Sequence, residues 1–192
     1  MVEKRQRKDA AARRETILAA AEIAFAEKGL DVPLEEICAA AGVGRATLYR
    51  NFENRIALVH AIMSNNLDKL DMVVARAGQD PNGLALFLAE ILDQQVKTGG
   101  LVYLISQNPA LDRNLSSRFR AHLDELVPRA RAAGLVRPDI TADQVAITVR
   151  MMWGGLEGLG FAQRRKIAPL VHALSLGALG MPAPSIGVET LP

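Results

Sequence analysis

Gly42-Val43-Gly44-Arg45-Ala46-Thr47-Leu48-Tyr49-Arg50-Asn51-Phe52 divides its apolar and hydrogen-bonding residues by position. Wound as a short helix, the stretch turns Val43, Leu48 and Phe52 inward and leaves Arg45, Ala46, Thr47, Tyr49, Arg50 and Asn51 outside. Just before it, Leu34, Ile37, Cys38 and Ala41 recur at i, i+3, i+4 and i+7, the stripe of one amphipathic helix. Gly42 follows, where a residue without a Cβ takes the left-handed conformation of a helix end at little cost. Helix, glycine turn and second helix make a helix-turn-helix unit. A preceding helix from about Asp9 to Lys28 carries Ile17, Ala21, Ala24 and Phe25 on its buried stripe and stops at Gly29, which completes a three-helix core. The outward set suits a major groove. Guanidinium groups pair with guanine O6 and N7, a methyl packs on the thymine methyl, and hydroxyls and amides meet phosphate oxygens.

The run Ile17-Leu18-Ala19-Ala20-Ala21 with Phe25, then Gly29-Leu30, Ile37, Ala40-Ala41-Gly42-Val43, Thr47-Leu48-Tyr49, and Phe52 through Arg55-Ile56-Ala57-Leu58 agree in type and spacing with a known pattern. Over residues 9 to 60 the chain resembles the DNA-binding domain of the TetR/AcrR family of transcriptional regulators. The resemblance implies that Arg45 and Ala46 read bases, with Arg50 beside them suited to either base or phosphate. It implies that Thr47, Tyr49, Asn51 and Arg55 grip phosphates. Two positions depart from the family pattern: Pro33 and Gly44 stand where a capping Ser or Thr is usual, and neither brings a hydroxyl to a phosphate.

The rest of the chain reads as helix, since no segment alternates at period two for long enough to be a strand. A fourth helix is expected from Asn54 or Arg55 to about Ala77. Asp80 as cap and Pro81 at the first helical position open a fifth that reaches about Lys97. A sixth covers Leu101 to Gln107. A seventh runs from about Arg113 to Ala133, with Pro128 kinking or splitting it. Thr141 and Gln144 form a capping box for an eighth that is carried to about Phe161, and a ninth spans Lys166 to Leu179. The fold expected is therefore all-α, of about nine helices: residues 1–54 a DNA-binding domain with a basic N-terminal arm, 55–181 a regulatory and dimerisation domain, and 182–192 a tail.

The eighth helix has two apolar sides. Val145, Val149, Met152 and Leu156 suit a domain interior. On the other side Met151, Gly154, Gly155 and Gly158 allow another backbone to come close, and the ninth helix offers Leu170, Leu174 and Ala178. A symmetric four-helix dimer interface fits these faces, as does ordinary packing within one chain; the resemblance implies the dimer. It also implies a ligand cavity, for which Phe87, Tyr103, Met152 and Trp153 are the candidates, with His122 a further polar contact. The effector expected is small and apolar or aromatic, because polar groups are scarce among these residues.

Bulk properties narrow the class. The chain has 192 residues, of which 49% are hydrophobic and 23% charged, enough for a packed core and against a disordered chain. The net charge of +2 is too small to argue for nucleic acid. Its distribution argues better: Lys4, Arg5, Arg7, Lys8, Arg13 and Arg14 cluster near the start as a mobile basic arm, either touching DNA beside the recognition helix or simply solvated. The single Cys38 precludes an intramolecular disulfide and lies on a buried stripe, so a core thiol is expected. Glu22 interrupts the apolar Thr16 to Ala26 stretch, and Ala168 to Gly180 is too short to cross a bilayer, so neither a secretory signal nor a membrane span is expected. A cytoplasmic protein follows. His60, His122 and His172 are dispersed, and neither a paired-cysteine site, a phosphate loop nor a Gly-x-Ser-x-Gly elbow occurs. Gly155 to Gly160 is glycine-rich but follows no strand. We expect no enzyme, cofactor or metal. The function expected is a DNA-binding regulator, a ligand-responsive repressor working as a homodimer on a palindromic double-stranded operator. The alternative is a ligand-sequestering or protein-interaction helical module without promoter control.

Overall fold

The computed structural model describes residues 2–99 and 109–182, with side chains over 10–99 and 115–182. The expected sixth helix, Tyr103 and the tail from residue 183 lie outside the described residues. So do the side chains of Lys4, Arg5, Arg7 and Lys8. Among the described residues the elements are eight helices: α1 Val2–Lys28, α2 Leu34–Ala41, α3 Arg45–Asn51, α4 Arg55–Ala77, α5 Gly83–Thr98, α6 Pro109–Ala132, α7 Ala142–Leu156 and α8 Phe161–Leu179. The class is all-α, and none of these helices is long and apolar enough to cross a membrane.

Local signals set most boundaries. Gly42 ends α2 at φ 63° and ψ 32°, and the Val43 amide reaches back to the Cys38 carbonyl at 3.0 Å. Asn54 caps α4, its side chain accepting from the Ala57 amide at 2.9 Å. Thr141 and Gln144 form the expected capping box at the start of α7.

The helices differ from expectation in several places, among them α6, which opens at Pro109 rather than about Arg113. α1 begins at Val2, so the stretch expected as a mobile arm is a helical extension; its Lys, Arg, Gln and Glu are good helix formers and propagate the helix toward the N-terminus. α5 starts at Gly83, because Asp80 spends its carboxylate on the Asn82 amide at 2.9 Å in a separate turn. α6 passes through Pro128 without a split; Pro128 and Asp124, whose carbonyl loses its partner, both lie on the exposed side. α7 stops at Leu156 rather than Phe161, since Gly154, Gly155 and Gly158 make its end a poor helix, and Gly158 turns the chain at φ 72°. α8 accordingly opens at Phe161, not Lys166.

The core is continuous. Ile17, Phe25, Ile37, Leu48 and Phe52 from α1 to α3 join Leu58 and Ile62 of α4, which leads on to Phe87, Leu123, Val145 and Met152. α4 is thus the spine shared by the N-terminal three-helix unit and the remaining helices.

Candidate nucleic-acid interface

α3 is short, and one side chain holds it. Leu48 is its fully buried residue, packed with Ile37 of α2 and with Phe52 just beyond the helix end. Val43 packs partly buried against the same core. With that side fixed, the helix turns Arg45, Ala46, Tyr49 and Arg50 to solvent, and Thr47 and Asn51 lie half-buried at its edges.

The arginines and the Asn51 amide on this surface are already engaged, though loosely. Arg45 Nη2 lies 2.8 Å from Glu35 Oε1 of α2, both side chains more than half exposed. Arg50 folds along its own helix, Nε donating to the Ala46 carbonyl and Nη2 to the Thr47 hydroxyl, each at 3.1 Å. Asn51 donates to the Thr47 carbonyl at 2.7 Å. Arg55 is less free. Its Nη1 donates to the Leu30 carbonyl and its guanidinium lies 5.9 Å from the centre of the Phe25 ring, which ties the start of α4 to the α1–α2 connection. Arg14 stands 5.2 Å over Phe52, placing part of the basic end of α1 next to α3.

The other candidate residues fall in different places. Phe87 and Met152 are wholly buried, Phe87 with its ring 5.8 Å from Phe119 and 5.6 Å from His122. Trp153 is half-buried, and its Nε1 is enclosed without a partner. A cleft of about 390 Å3 where α1, α5 and α8 meet is lined by Glu22, Ile23, Lys97 and Phe161, not by Phe87, Met152 or Trp153. His122 contacts Asp71 at 2.7 Å instead of standing free. Met151 is 67% exposed and Leu174 66%, with Gly154 and Ala178 exposed and Leu170 half-buried, while Gly155 faces Val171 of α8, which an added Cβ would meet at 3.2 Å. Gly158 stands apart from them in the α7–α8 turn.

Some polar groups of the interior escaped sequence reading. Gln95 buries both amide atoms without a partner, and His172 encloses its Nε2 likewise; burial pushes the His172 imidazole below its ordinary pKa. Arg164 is buried as well. A helical wheel placing Gln95 beside Ile91 and Leu92 would have flagged the first of these; no local pattern flags Arg164.

Residues 17–62 match the model of the tetR family of bacterial regulatory proteins. The chain is similar to the HTH-type transcriptional repressor LfrR of Mycolicibacterium smegmatis, 24% identical over 88% of this chain and 92% of that protein. A solved TetR transcription regulatory protein from Mycobacterium vanbaalenii is 31% identical, covering 79% of this chain and 99% of its own, with a TM-score of 0.61. A TetR transcriptional regulator from Streptomyces coelicolor is 29% identical over 86% of this chain and 97% of its own, with a TM-score of 0.65. A helix-turn-helix with its recognition helix facing solvent, carried on an all-helical body that these relatives share over most of their length, makes this chain a member of the TetR family of bacterial transcriptional regulators.

Proposed function

We propose that this regulator is a repressor that binds a palindromic operator as a homodimer in the cytoplasm and releases it when a small effector enters its C-terminal helices. The observation that carries the reading is α3 itself: a helix locked beneath by Leu48 that offers Arg45, Ala46, Tyr49 and Arg50 outward. Arg45, Ala46 and Arg50 are the base-reading set. Thr47 and Tyr49 contact phosphate, while Asn51 and Arg55 place α3 through the carbonyls they already hold and meet phosphate with their remaining donors.

Residues 1–54 serve as the DNA-binding part and 55–181 as the regulatory and dimerising part. Ile147, Met151 and Leu174 are large apolar side chains left in solvent on α7 and α8, and Gly154, beside which an added Cβ would meet nothing, keeps that surface low. A second copy related by a two-fold axis covers this face and sets two recognition helices against two half-sites. That a similar Mycolicibacterium smegmatis protein is a repressor supports repression here.

Gln95, Trp153 and His172 sharpen the effector. Their unpartnered atoms lie on α5, α7 and α8, three helices that pack on one another. An effector with an apolar body and a few hydrogen-bonding groups satisfies them better than a hydrocarbon. Binding lowers DNA affinity by favouring the conformation whose recognition helices are mis-spaced, with α4 linking the two parts. Selection of duplexes from a randomised pool, followed by footprinting upstream of the gene and sedimentation of the free protein, tests the reading. The expected result is a dimer and an inverted-repeat site. Failure to retard any duplex at about 50 mM salt, where phosphate contacts are strong, would favour the sequestering module instead.

A further inference from the structure

Arg164, in the first turn of α8, is 5% exposed. Each guanidinium nitrogen donates to a different backbone segment: Nε to the Val96 carbonyl at 3.0 Å, Nη1 to the Leu159 carbonyl at 2.7 Å, and Nη2 to the Ala26 carbonyl. Ala26 lies in the last turn of α1 and Val96 in the last turn of α5, where helix geometry leaves carbonyls without an amide partner. Leu159 lies in the α7–α8 turn. The negative ends of two helix dipoles thus converge on one cation, which explains how a buried arginine is accommodated. Burial lowers its pKa, but an arginine stays charged. Gly99 makes the approach possible: a Cβ there would stand 2.8 Å from Arg164 Nη1.

We propose that Arg164 is a positioning residue for DNA binding, a clasp that fixes the end of α1 relative to the α7–α8 hairpin. α1 packs on α2 and α2 on α3, so the direction of α1 decides where the recognition helix points. The path adds a second link beside the α4 spine, against which α1 also packs. A shift of Leu159 in the α7–α8 turn moves an acceptor of the clasp, and with it α1. The effect on half-site spacing rests on the dimer reading above.

The full-length wild type, Arg164→Met, Arg164→Lys and Gly99→Ala are compared in three measurements: sedimentation, hydrogen exchange of the free protein, and affinity for duplexes whose half-site separation changes one base pair at a time. Lysine brings a point charge in place of the three-way fork, so Arg164→Lys falls between wild type and Arg164→Met. Gly99→Ala disturbs the clasp with the arginine retained, adding the backbone strain of a side chain at φ 58°, and stands in for Arg164→Met if that variant does not fold. The expected result is a dimeric variant whose preference for the best spacing over its neighbours falls about tenfold, within the range of allosteric couplings. Exchange should quicken over residues 23–32 and α2 and stay unchanged in α6. A purely structural role would lower the melting temperature but leave the spacing profile of the folded dimer as it was. A folded Arg164→Met or Gly99→Ala protein with wild-type exchange over 23–32 and wild-type spacing preference overturns the clasp. A monomeric wild type overturns the dimer reading, and the exchange result still decides the clasp.

Discussion

The outward side of α3 and the junction of α1, α5 and α8 both place guanidinium groups, and they use them in opposite ways. Arg45 meets a carboxylate at the surface, where water screens the pair and its worth is at most about 1 kcal/mol. Arg164 meets three carbonyls out of water, where removing the charge leaves helix ends without partners. Exposed guanidinium groups can exchange their partners for DNA; the enclosed one holds the elements that carry them. Residue type is the same in both places, and burial decides the role.

The exposed side of α3 is lost most completely if the helix loses its anchor. Leu48→Ala removes the one fully buried side chain of a short helix, and a cost of about 2–5 kcal/mol is expected for such a truncation. Denaturant unfolding should show that loss, with operator binding abolished. A loss below about 1 kcal/mol would mean that the core does not hold α3.

Next in size is the division of labour on the exposed side. Arg45→Ala should cost about 1–3 kcal/mol on the cognate operator and much less on random duplex, while Tyr49→Phe weakens both alike. Equal losses for Arg45→Ala on cognate and random DNA would remove Arg45 from the base-reading set. A smaller effect, about 1–2 kcal/mol of stability, is expected for Gly42→Ala. An added Cβ meets nothing within 4 Å there, so the cost is that of φ 63° alone. Thermal unfolding measures it, and an unchanged melting temperature would show that the α2–α3 turn relaxes.

The two regions also differ in how far they could be read from the sequence. The α2–α3 unit is legible because its determinants are neighbours in the chain: the stripe Leu34, Ile37, Cys38 and Ala41, the glycine after it, and Leu48 pointing back from the next helix. The capping box at Thr141 is legible for the same reason. The clasp is not. Gln163-Arg164-Arg165-Lys166 reads as a solvated basic run, and what buries its second residue is a pair of carbonyls at Ala26 and Val96, remote in sequence. The end of α7 differs from the sequence expectation on related grounds. Apolar periodicity continues to Leu159, and only the cost of Gly154, Gly155 and Gly158 in a helix argues against it.

The smallest expected effect tests the Arg45–Glu35 pair most directly. Glu35 occupies Arg45 in the free protein and would stand as a negative charge near the phosphates in the complex. Glu35→Gln should leave stability within about 0.5 kcal/mol, as for most surface changes. Binding to cognate and random duplexes should tighten by about 0.2–1 kcal/mol, since Arg45 no longer gives up an ion pair and a repulsion is gone. Because the effect is electrostatic and exposed, it should fade as salt rises and the screening length shortens. The opposite outcome has a definite meaning: if Glu35→Gln weakens only the cognate site, Glu35 keeps hold of Arg45 in the complex and aims it at the base. The ion pair would then be part of the reading apparatus, and the rule that surface guanidinium groups simply change partners would fail at the residue where it matters most.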